Sequence, residues 1–178
     1  MATDILAVRL GAMGDIIHAL PAVATLKTGI GDARITWLVE PRWSDLLDGN
    51  PFVDDICLLR RKGWSEIRQT YHDLRSRRFD MAVDLQGLMK SALPAFVGSP
   101  HHVYGFHFSD AREKAASLLY SHRVRSGSTH IVDRYLDVAL AAAPAARPVR
   151  IFPIPPGSPE GDLPAGAPLH RRVPPAGA

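Results

Sequence analysis

The sequence predicts an α/β fold in which an open parallel β-sheet carries helices on both faces. Short apolar runs alternate with helix-length stretches through the first 143 residues, an alternation typical of a parallel sheet whose crossovers are helices. The chain has 178 residues, of which 46% are hydrophobic and 22% are charged. This composition supports one globular core and excludes a disordered acidic chain.

Five apolar runs are predicted to be strands. The first, residues 4–9, ends at a turn with two glycines and has the continuous apolar character of a buried strand. The second and third are similar in length and contain β-branched residues. The second to fifth runs are residues 34–39, 55–59, 81–85 and the weaker 102–105.

Five further stretches have the length of helices. They are residues 15–28, 65–78, 86–97, 111–121 and 129–142. The second is the clearest, because Trp64, Ile67, Tyr71 and Leu74 recur at steps of three and four and fall on one face. Pro21 lies inside the first, which therefore either kinks there or begins at Pro21 after a turn.

Composition divides the chain near residue 143. Ten of the 15 prolines fall in residues 144–178, and the apolar residues there follow neither a helical nor an alternating period. A segment of this kind is not expected to fold as a domain. We therefore predict one domain over residues 1–143 and a proline-rich linker or aberrant tail over 144–178.

Several features indicate a cytoplasmic protein. The single cysteine, Cys57, can form neither an internal disulfide nor a multi-cysteine metal site, which fits a reducing compartment. Asp4 and Arg9 interrupt the N-terminal run too early for a signal peptide, and no apolar run approaches the roughly 20 residues of a membrane span. The net charge of +3 arises mostly after residue 143 and is a poor guide to partners; no nucleic-acid partner is predicted.

Positive charge is concentrated within residues 60–78. Against Glu66 and Asp73 stand seven basic residues: Arg60, Arg61, Lys62, Arg68, Arg75, Arg77 and Arg78. Such an excess suits a phosphate or carboxylate ligand. A solvated helix face has the same composition, so the pattern leaves both interpretations open.

The turn after the first strand is one candidate for the ligand site, because ligands of open parallel sheets bind beyond the carboxyl ends of the strands. It lacks the dinucleotide fingerprint and the P-loop pattern, but Gly11 and Gly14 allow a ligand to approach the backbone closely. Asp15 starts the next helix. It is either an N-cap, the commonest use of aspartate there, or a carboxylate that takes a proton from a substrate hydroxyl.

The turn after the fourth strand is the second candidate. Asp84 ends the strand, Gln86 and Gly87 form the turn, and Lys90 lies in the first turn of the next helix. Backbone donors at a helix N-terminus, together with a lysine, suit an anionic group. The alternative is a capping Asp84 and a solvated Lys90.

Four separated segments, taken together, point to a known family. They are Arg9–Ala22, Trp37–Glu40, Phe79–Ser91 and Asp110–Tyr120. This set resembles the acceptor-binding half of the lipopolysaccharide heptosyltransferases of glycosyltransferase family 9, and most of all the heptosyltransferase I group, which adds heptose to Kdo on lipid A. The resemblance runs in order over roughly residues 4–142.

The resemblance implies the Rossmann-like N-terminal half of a GT-B glycosyltransferase and an inverting transfer of heptose from ADP-heptose to Kdo–lipid A. Asp15 matches the family's proposed catalytic base, which favours catalysis over capping. Arg60, Arg61 and Lys62 match a basic loop that looks like an acceptor clamp, and Arg112 matches the arginine of an Ala-Arg-Glu segment. No metal or other cofactor is implied, so protein donors would stabilise the departing diphosphate.

The resemblance also implies a C-terminal donor domain that would begin near Pro144 and that this sequence does not contain. We therefore expect the chain alone to transfer heptose poorly or not at all. A non-catalytic module that binds acidic glycolipid is the alternative function. The lipid acceptor implies peripheral attachment to the cytoplasmic face of the inner membrane.

Overall fold

The computed structural model describes residues 2–61, 63–99 and 101–155. Within these ranges the chain forms a six-stranded parallel sheet of order β3-β2-β1-β4-β5-β6. The strands are Thr3–Val8 (β1), Ala33–Val39 (β2), Asp55–Leu58 (β3), Met81–Asp84 (β4), Val103–Phe106 (β5) and His122–Val124 (β6). The order reverses between β1 and β4, where Val8 pairs with Asp84.

Helices cover both faces of this sheet. In the described part of the chain the α-helices are Met13–Gly29 (α1), Trp64–Arg77 (α2), Met89–Gly98 (α3) and Ile131–Ala142 (α4). Two 3-10 helices span Pro41–Leu47 and Lys114–Leu119. Helix α1 packs on α4, and α2 packs on α3. The predicted open parallel sheet with helices on both faces is confirmed.

Strand β1 shows how the core is divided. Ile5 and Ala7 belong to the apolar layer under α1 and α4, whereas Leu6 and Val8 belong to the layer under α2 and α3. All four side chains are fully buried. A central strand covered on both faces requires this apolar character at every position.

The predicted strands agree with the observed ones to within one residue, but β6 was not predicted. Its three residues, His122–Val124, carry little apolar signal because the strand lies at the edge of the sheet. The helix predicted over 111–121 is wrong, since only Lys114–Leu119 is helical and it is a 3-10 helix. The preceding residues form hydrogen bonds outside a helix, among them Glu113 N to Gly87 O at 2.9 Å.

Two details of the predicted helices also change. Helix α1 begins at Met13 and continues through Pro21, so a helix start at Pro21 is wrong. Trp64 does not share the buried face of α2: its side chain is 88% exposed, whereas Leu74 on that helix is fully buried.

Residues 144–155 contain neither helix nor strand and lie against the domain. The amide of Val149 donates to Thr25 Oγ1 at 2.9 Å, and Asn50 Nδ2 donates to Pro153 O at 2.9 Å. The remainder of the predicted linker or tail, 156–178, lies outside the described residues. In the part of the chain that is described, no helix has the length and apolar character needed to cross a membrane.

Candidate active site

The candidate site lies where the strand order reverses, at the carboxyl ends of β1 and β4. The loops that follow these strands are joined by a hydrogen bond from the Leu10 amide to Gln86 Oε1 at 3.0 Å. Gln86 is only 4% exposed, so its side chain connects the two loops and does not face solvent. This is the place where a doubly wound sheet forms its ligand crevice.

Asp15 lies in the first turn of α1 and forms an ion pair with the guanidinium of Arg9. The N-cap of α1 is Ala12, and no side chain caps the helix. The interpretation of Asp15 as an N-cap is therefore wrong. Its side chain is 30% exposed, so the carboxylate is anchored on one side and open on the other.

Arg9 is almost completely buried, with 1% of its surface exposed. Its Nη1 donates to Leu85 O at 2.8 Å, and its Cζ lies 5.4 Å from the ring centre of Tyr135. Burial raises the pKa of the Tyr135 phenol, and the nearby Arg9 partly opposes this. No role was predicted for Arg9 from the sequence. The available signal was a guanidinium at the end of an apolar run, since a buried charge requires a partner.

The two glycines of the first loop have different surroundings. A Cβ atom at Gly11 would lie 2.7 Å from Trp43 Nε1, so this position is small because the indole packs against it. Gly14 has no atom within 4 Å of the corresponding position among the described residues. Gly14 is therefore the one that leaves space at the mouth of the crevice.

Arg112 reaches Asp15 from the other side. Its Nη1 is 3.8 Å from Asp15 Oδ2, and its side chain is 61% exposed. Gly87 makes this approach possible, since it has a φ of +71° and a Cβ atom there would lie 3.3 Å from the Arg112 amide. The structure thus brings together Asp15, Gly87 and Arg112.

The expected anion site at the N-terminus of α3 is filled by the chain's own carboxylate. Glu113 Oε2 accepts a hydrogen bond from the Met89 amide at 2.6 Å. The Leu88 amide donates to Ser91 Oγ at 3.3 Å. The hypothesis that these donors bind an external anion is wrong for these two amides.

Asp84 faces the interior and not the crevice. It is fully buried, and its carboxylate accepts hydrogen bonds from the Gln86 amide at 2.8 Å, Ser91 Oγ at 2.8 Å and Tyr120 Oη at 2.6 Å. Burial raises the pKa of Asp84, and these hydrogen bonds oppose the rise. Asp84 therefore holds the turn in place through the Gln86 and Gly87 amides. It does not cap α3, whose N-cap is Leu88.

Lys90 is not simply solvated. Its Nζ lies 3.9 Å from Glu40 Oε1, and its side chain is 40% exposed. Glu40, which directly follows β2, also contacts Arg42 Nη2 at 3.3 Å through its other oxygen. No role was predicted for Glu40 from the sequence.

A basic cleft of about 640 Å³ lies beside Glu40. Its lining residues come from the ends of β2 and β3 and from α2: Glu40, Pro41, Arg42, Leu59, Arg60, Arg61 and Glu66. Within the described ranges, neither Arg60 nor Arg61 forms an ion pair. Lys62, the third residue of the predicted clamp, lies outside the described residues.

The described residues contain no group of three or more His, Cys, Asp or Glu side chains arranged to hold a metal ion. Among the described residues, the cations near Asp15 and lining the basic cleft are arginines. Guanidinium groups pair in bidentate fashion with carboxylates and phosphates. The arrangement therefore combines a partly open carboxylate with side chains suited to an anionic ligand.

Comparison with known proteins identifies close matches to this domain. The sequence profile of glycosyltransferase family 9 (heptosyltransferase) matches residues 67–159. Lipopolysaccharide heptosyltransferase 1 of Escherichia coli K12 is 29% identical over 143 residues, which cover 73% of this chain and 44% of that protein. The Pseudomonas aeruginosa PAO1 protein of the same name is 32% identical over 127 residues, covering 65% of this chain and 36% of that protein.

Solved structures show the same fold. The structure of E. coli heptosyltransferase WaaC with ADP-2-deoxy-2-fluoro heptose matches with a TM-score of 0.74 at 24% identity, over 84% of this chain and 51% of that one. E. coli ADP-heptose LPS heptosyltransferase II matches with a TM-score of 0.64 at 26% identity, over 77% of this chain and 40% of that one. The chain spans less than half the length of the curated relatives it matches.

Proposed function

Because the chain belongs to glycosyltransferase family 9, we propose that its domain binds the acceptor in the transfer of heptose from ADP-heptose to Kdo–lipid A, in the biosynthesis of the lipopolysaccharide inner core. The observation that carries this proposal is the Asp15 carboxylate. It lies at the switch point of the sheet, is anchored by Arg9 and remains 30% exposed. The similarity to heptosyltransferase 1 proteins supports the choice of donor and acceptor.

In the proposed reaction Asp15 is the general base. The acceptor hydroxyl oxygen attacks the anomeric carbon of heptose, and the bond from that carbon to the diphosphate oxygen breaks. Asp15 takes the hydroxyl proton, and ADP leaves with the electron pair of the broken bond. Attack from the face opposite ADP inverts the anomeric centre. A base in this role accelerates such a step by about 10²–10⁴-fold.

The arginines near Asp15 and in the basic cleft would bind the acceptor. Kdo carries a carboxylate and lipid A carries phosphates, and guanidinium groups bind both. Arg60 and Arg61 line the cleft, Lys62 extends the same loop in sequence, and Arg112 lies beside Asp15. The acidic groups of the acceptor would therefore direct its hydroxyl toward the carboxylate.

A single-turnover transfer assay tests the enzymatic part of the proposal. The chain is joined to the C-terminal donor domain of a family 9 heptosyltransferase and mixed in excess with ADP-heptose and Kdo–lipid A, and mass spectrometry detects the heptosylated lipid. Asp15→Asn should lower the rate by about 10²–10⁴-fold. It should also lower the melting temperature, because the buried Arg9 loses its carboxylate partner, so both rates are measured well below the melting temperature of the variant. A rate within about threefold of wild type would exclude Asp15 as the base. No product from the wild-type chain would leave the acidic-glycolipid-binding module as the function.

We further propose that the protein works in the cytoplasm, held peripherally at the inner membrane. Helix α3 exposes Met89, Leu93 and Phe96, which are 39%, 42% and 38% exposed and share a face at steps of four and three. Phe96 also lines a cleft with Arg75, Arg78 and His101. Apolar side chains bordered by cations suit an anionic lipid surface.

A further inference from the structure

We infer that Arg9 is a positioning residue: its buried guanidinium fixes the Asp15 carboxylate in one orientation that leaves one oxygen facing the crevice. The inference rests on the proposed role of Asp15 as the base. Arg9 and Arg112 both approach Oδ2 of Asp15. Among the described residues nothing donates a hydrogen bond to Oδ1, the oxygen left for the substrate hydroxyl.

The backbone of Arg9 is held by β2, and its guanidinium is held by the loop just past β4. The Arg9 amide donates to Leu38 O on β2 at 3.3 Å, and the Arg9 carbonyl accepts a hydrogen bond from Trp37 Nε1 at 3.0 Å. The side chain donates to Leu85 O, just past β4, at 2.8 Å. A guanidinium that is 1% exposed, on a residue whose backbone amide and carbonyl are both hydrogen-bonded, has little freedom to follow a moving carboxylate.

The pairing constrains Asp15 because Arg9 has no substitute partner. In the described part of the chain, Asp15 provides the one carboxylate within ion-pair distance of Arg9. A buried guanidinium without a counter-ion is strongly destabilised. Rotation of the Asp15 side chain away from Arg9 would therefore raise the free energy of the folded state.

Arg112 cannot perform the same role. It lies 3.8 Å from Asp15 Oδ2 and is 61% exposed, so solvent and salt screen its attraction. Its side chain is free to pair with an anionic ligand instead. The buried arginine orients the carboxylate, and the exposed one is available to the acceptor.

The test is the rotamer of Asp15, measured in the full chain by three-bond NMR couplings from the side-chain carboxyl carbon to the backbone nitrogen and carbonyl. These couplings report the χ1 populations among the three staggered rotamers. The wild type should show one rotamer. Arg9→Met should show values averaged over several rotamers, because the methionine fills the space but provides no donor.

Two variants serve as controls. Arg134 makes the same kinds of contact elsewhere: its Nη2 donates to Asp110 O at 2.6 Å and its Cζ lies 5.4 Å from the Phe106 ring centre. Arg134→Met should leave the Asp15 couplings unchanged, and so should Arg112→Ala. A change in all three variants would mean a general loosening of the domain and would overturn the inference.

Averaged couplings for Asp15 in the wild type would overturn the inference, as would wild-type couplings in folded Arg9→Met. If Arg9→Met does not fold, the test is the rate of rotation about the Cζ–Nη bonds of Arg9 in the wild type, measured by NMR. Slow rotation supports the inference, and fast rotation contradicts it. None of these measurements depends on heptose transfer. A fixed Asp15 in a chain that does not bind Kdo–lipid A would refute the proposed function and leave the positioning intact.

Discussion

The phenolic hydroxyl of Tyr120 donates a hydrogen bond of 2.6 Å to Asp84 Oδ2. Tyr120 follows the 3-10 helix Lys114–Leu119, and Asp84 ends β4. Ser91 of α3 donates to the same oxygen at 2.8 Å. These contacts join three elements behind the turn that carries Gly87, so the shape of the crevice depends on a buried carboxylate that does not face it.

Tyr120→Phe should lower the free energy of unfolding by about 1–3 kcal/mol, because a buried carboxylate oxygen loses one of its donors. Urea denaturation at neutral pH measures the change. Tyr104→Phe is the matched control, since the Tyr104 ring stacks on His122 at 4.2 Å and its hydroxyl has no hydrogen-bond partner among the described residues. Equal stability of the two variants would contradict the role of the Tyr120 hydroxyl.

The substitutions Gly87→Ala and Gly14→Ala should have opposite effects on the stability of the domain. Gly87 has a φ of +71° and tight neighbours, so Gly87→Ala should cost about 1–2 kcal/mol of stability. Gly14 lies in α1 with open space around it, so Gly14→Ala should stabilise the helix by up to about 1 kcal/mol. The added methyl of Gly14→Ala should nevertheless weaken acceptor binding. Thermal melts measure the change in stability, and titration with Kdo–lipid A measures the change in acceptor binding. A loss of stability in Gly14→Ala would argue against an open crevice mouth.

Arg60→Ala combined with Arg61→Ala should weaken the binding of Kdo–lipid A by about tenfold or more, because charge-assisted hydrogen bonds to the acceptor are lost. The dependence of affinity on salt should also become flatter. A matched control removes two exposed arginines outside the cleft, Arg34 at the amino end of β2 and Arg147 beyond α4, as Arg34→Ala with Arg147→Ala. If both pairs behave alike, or if neither affects binding, the basic cleft is a solvated surface.

Leu93→Gln combined with Phe96→Gln should reduce co-sedimentation of the protein with phosphatidylglycerol vesicles by about tenfold, because partly exposed apolar side chains no longer enter the lipid interface. Phe152→Gln with Ile154→Gln, which alters exposed apolar residues outside α3, serves as the control. Binding of the wild type to neutral phosphatidylcholine vesicles should be weak. Equal binding to both vesicle types would contradict an electrostatic contribution from Arg75 and Arg78.

The fold and the family followed from the sequence because their signals are local. Apolar runs such as 34–39 are complete within a few residues, and the four family segments are specific in combination. The family resemblance is confirmed by the profile match to residues 67–159. The 3-10 helix Lys114–Leu119 was missed as such because its form depends on a distant contact, the bond from the Glu113 amide to Gly87 O.

The site was only partly predictable for the same reason. Asp15, Gly87 and Arg112 were identified from motifs, and the structure brings them together. Arg9 and Glu40 were not, because their roles depend on partners far along the chain, such as Leu85 and Lys90. The contact of Glu113 with the N-terminus of α3 could not be predicted from local spacing, because its partner Met89 is 24 residues away in the sequence.

The most direct test of the account is a pair of calorimetric titrations of the wild-type chain, one with Kdo–lipid A in detergent micelles and one with ADP. We expect salt-dependent binding of Kdo–lipid A and much weaker binding of ADP, because arginines line the cleft and lie beside Asp15, and Glu113 already occupies the N-terminus of α3. Tight binding of ADP together with no binding of Kdo–lipid A would contradict the assignment of this domain to the acceptor.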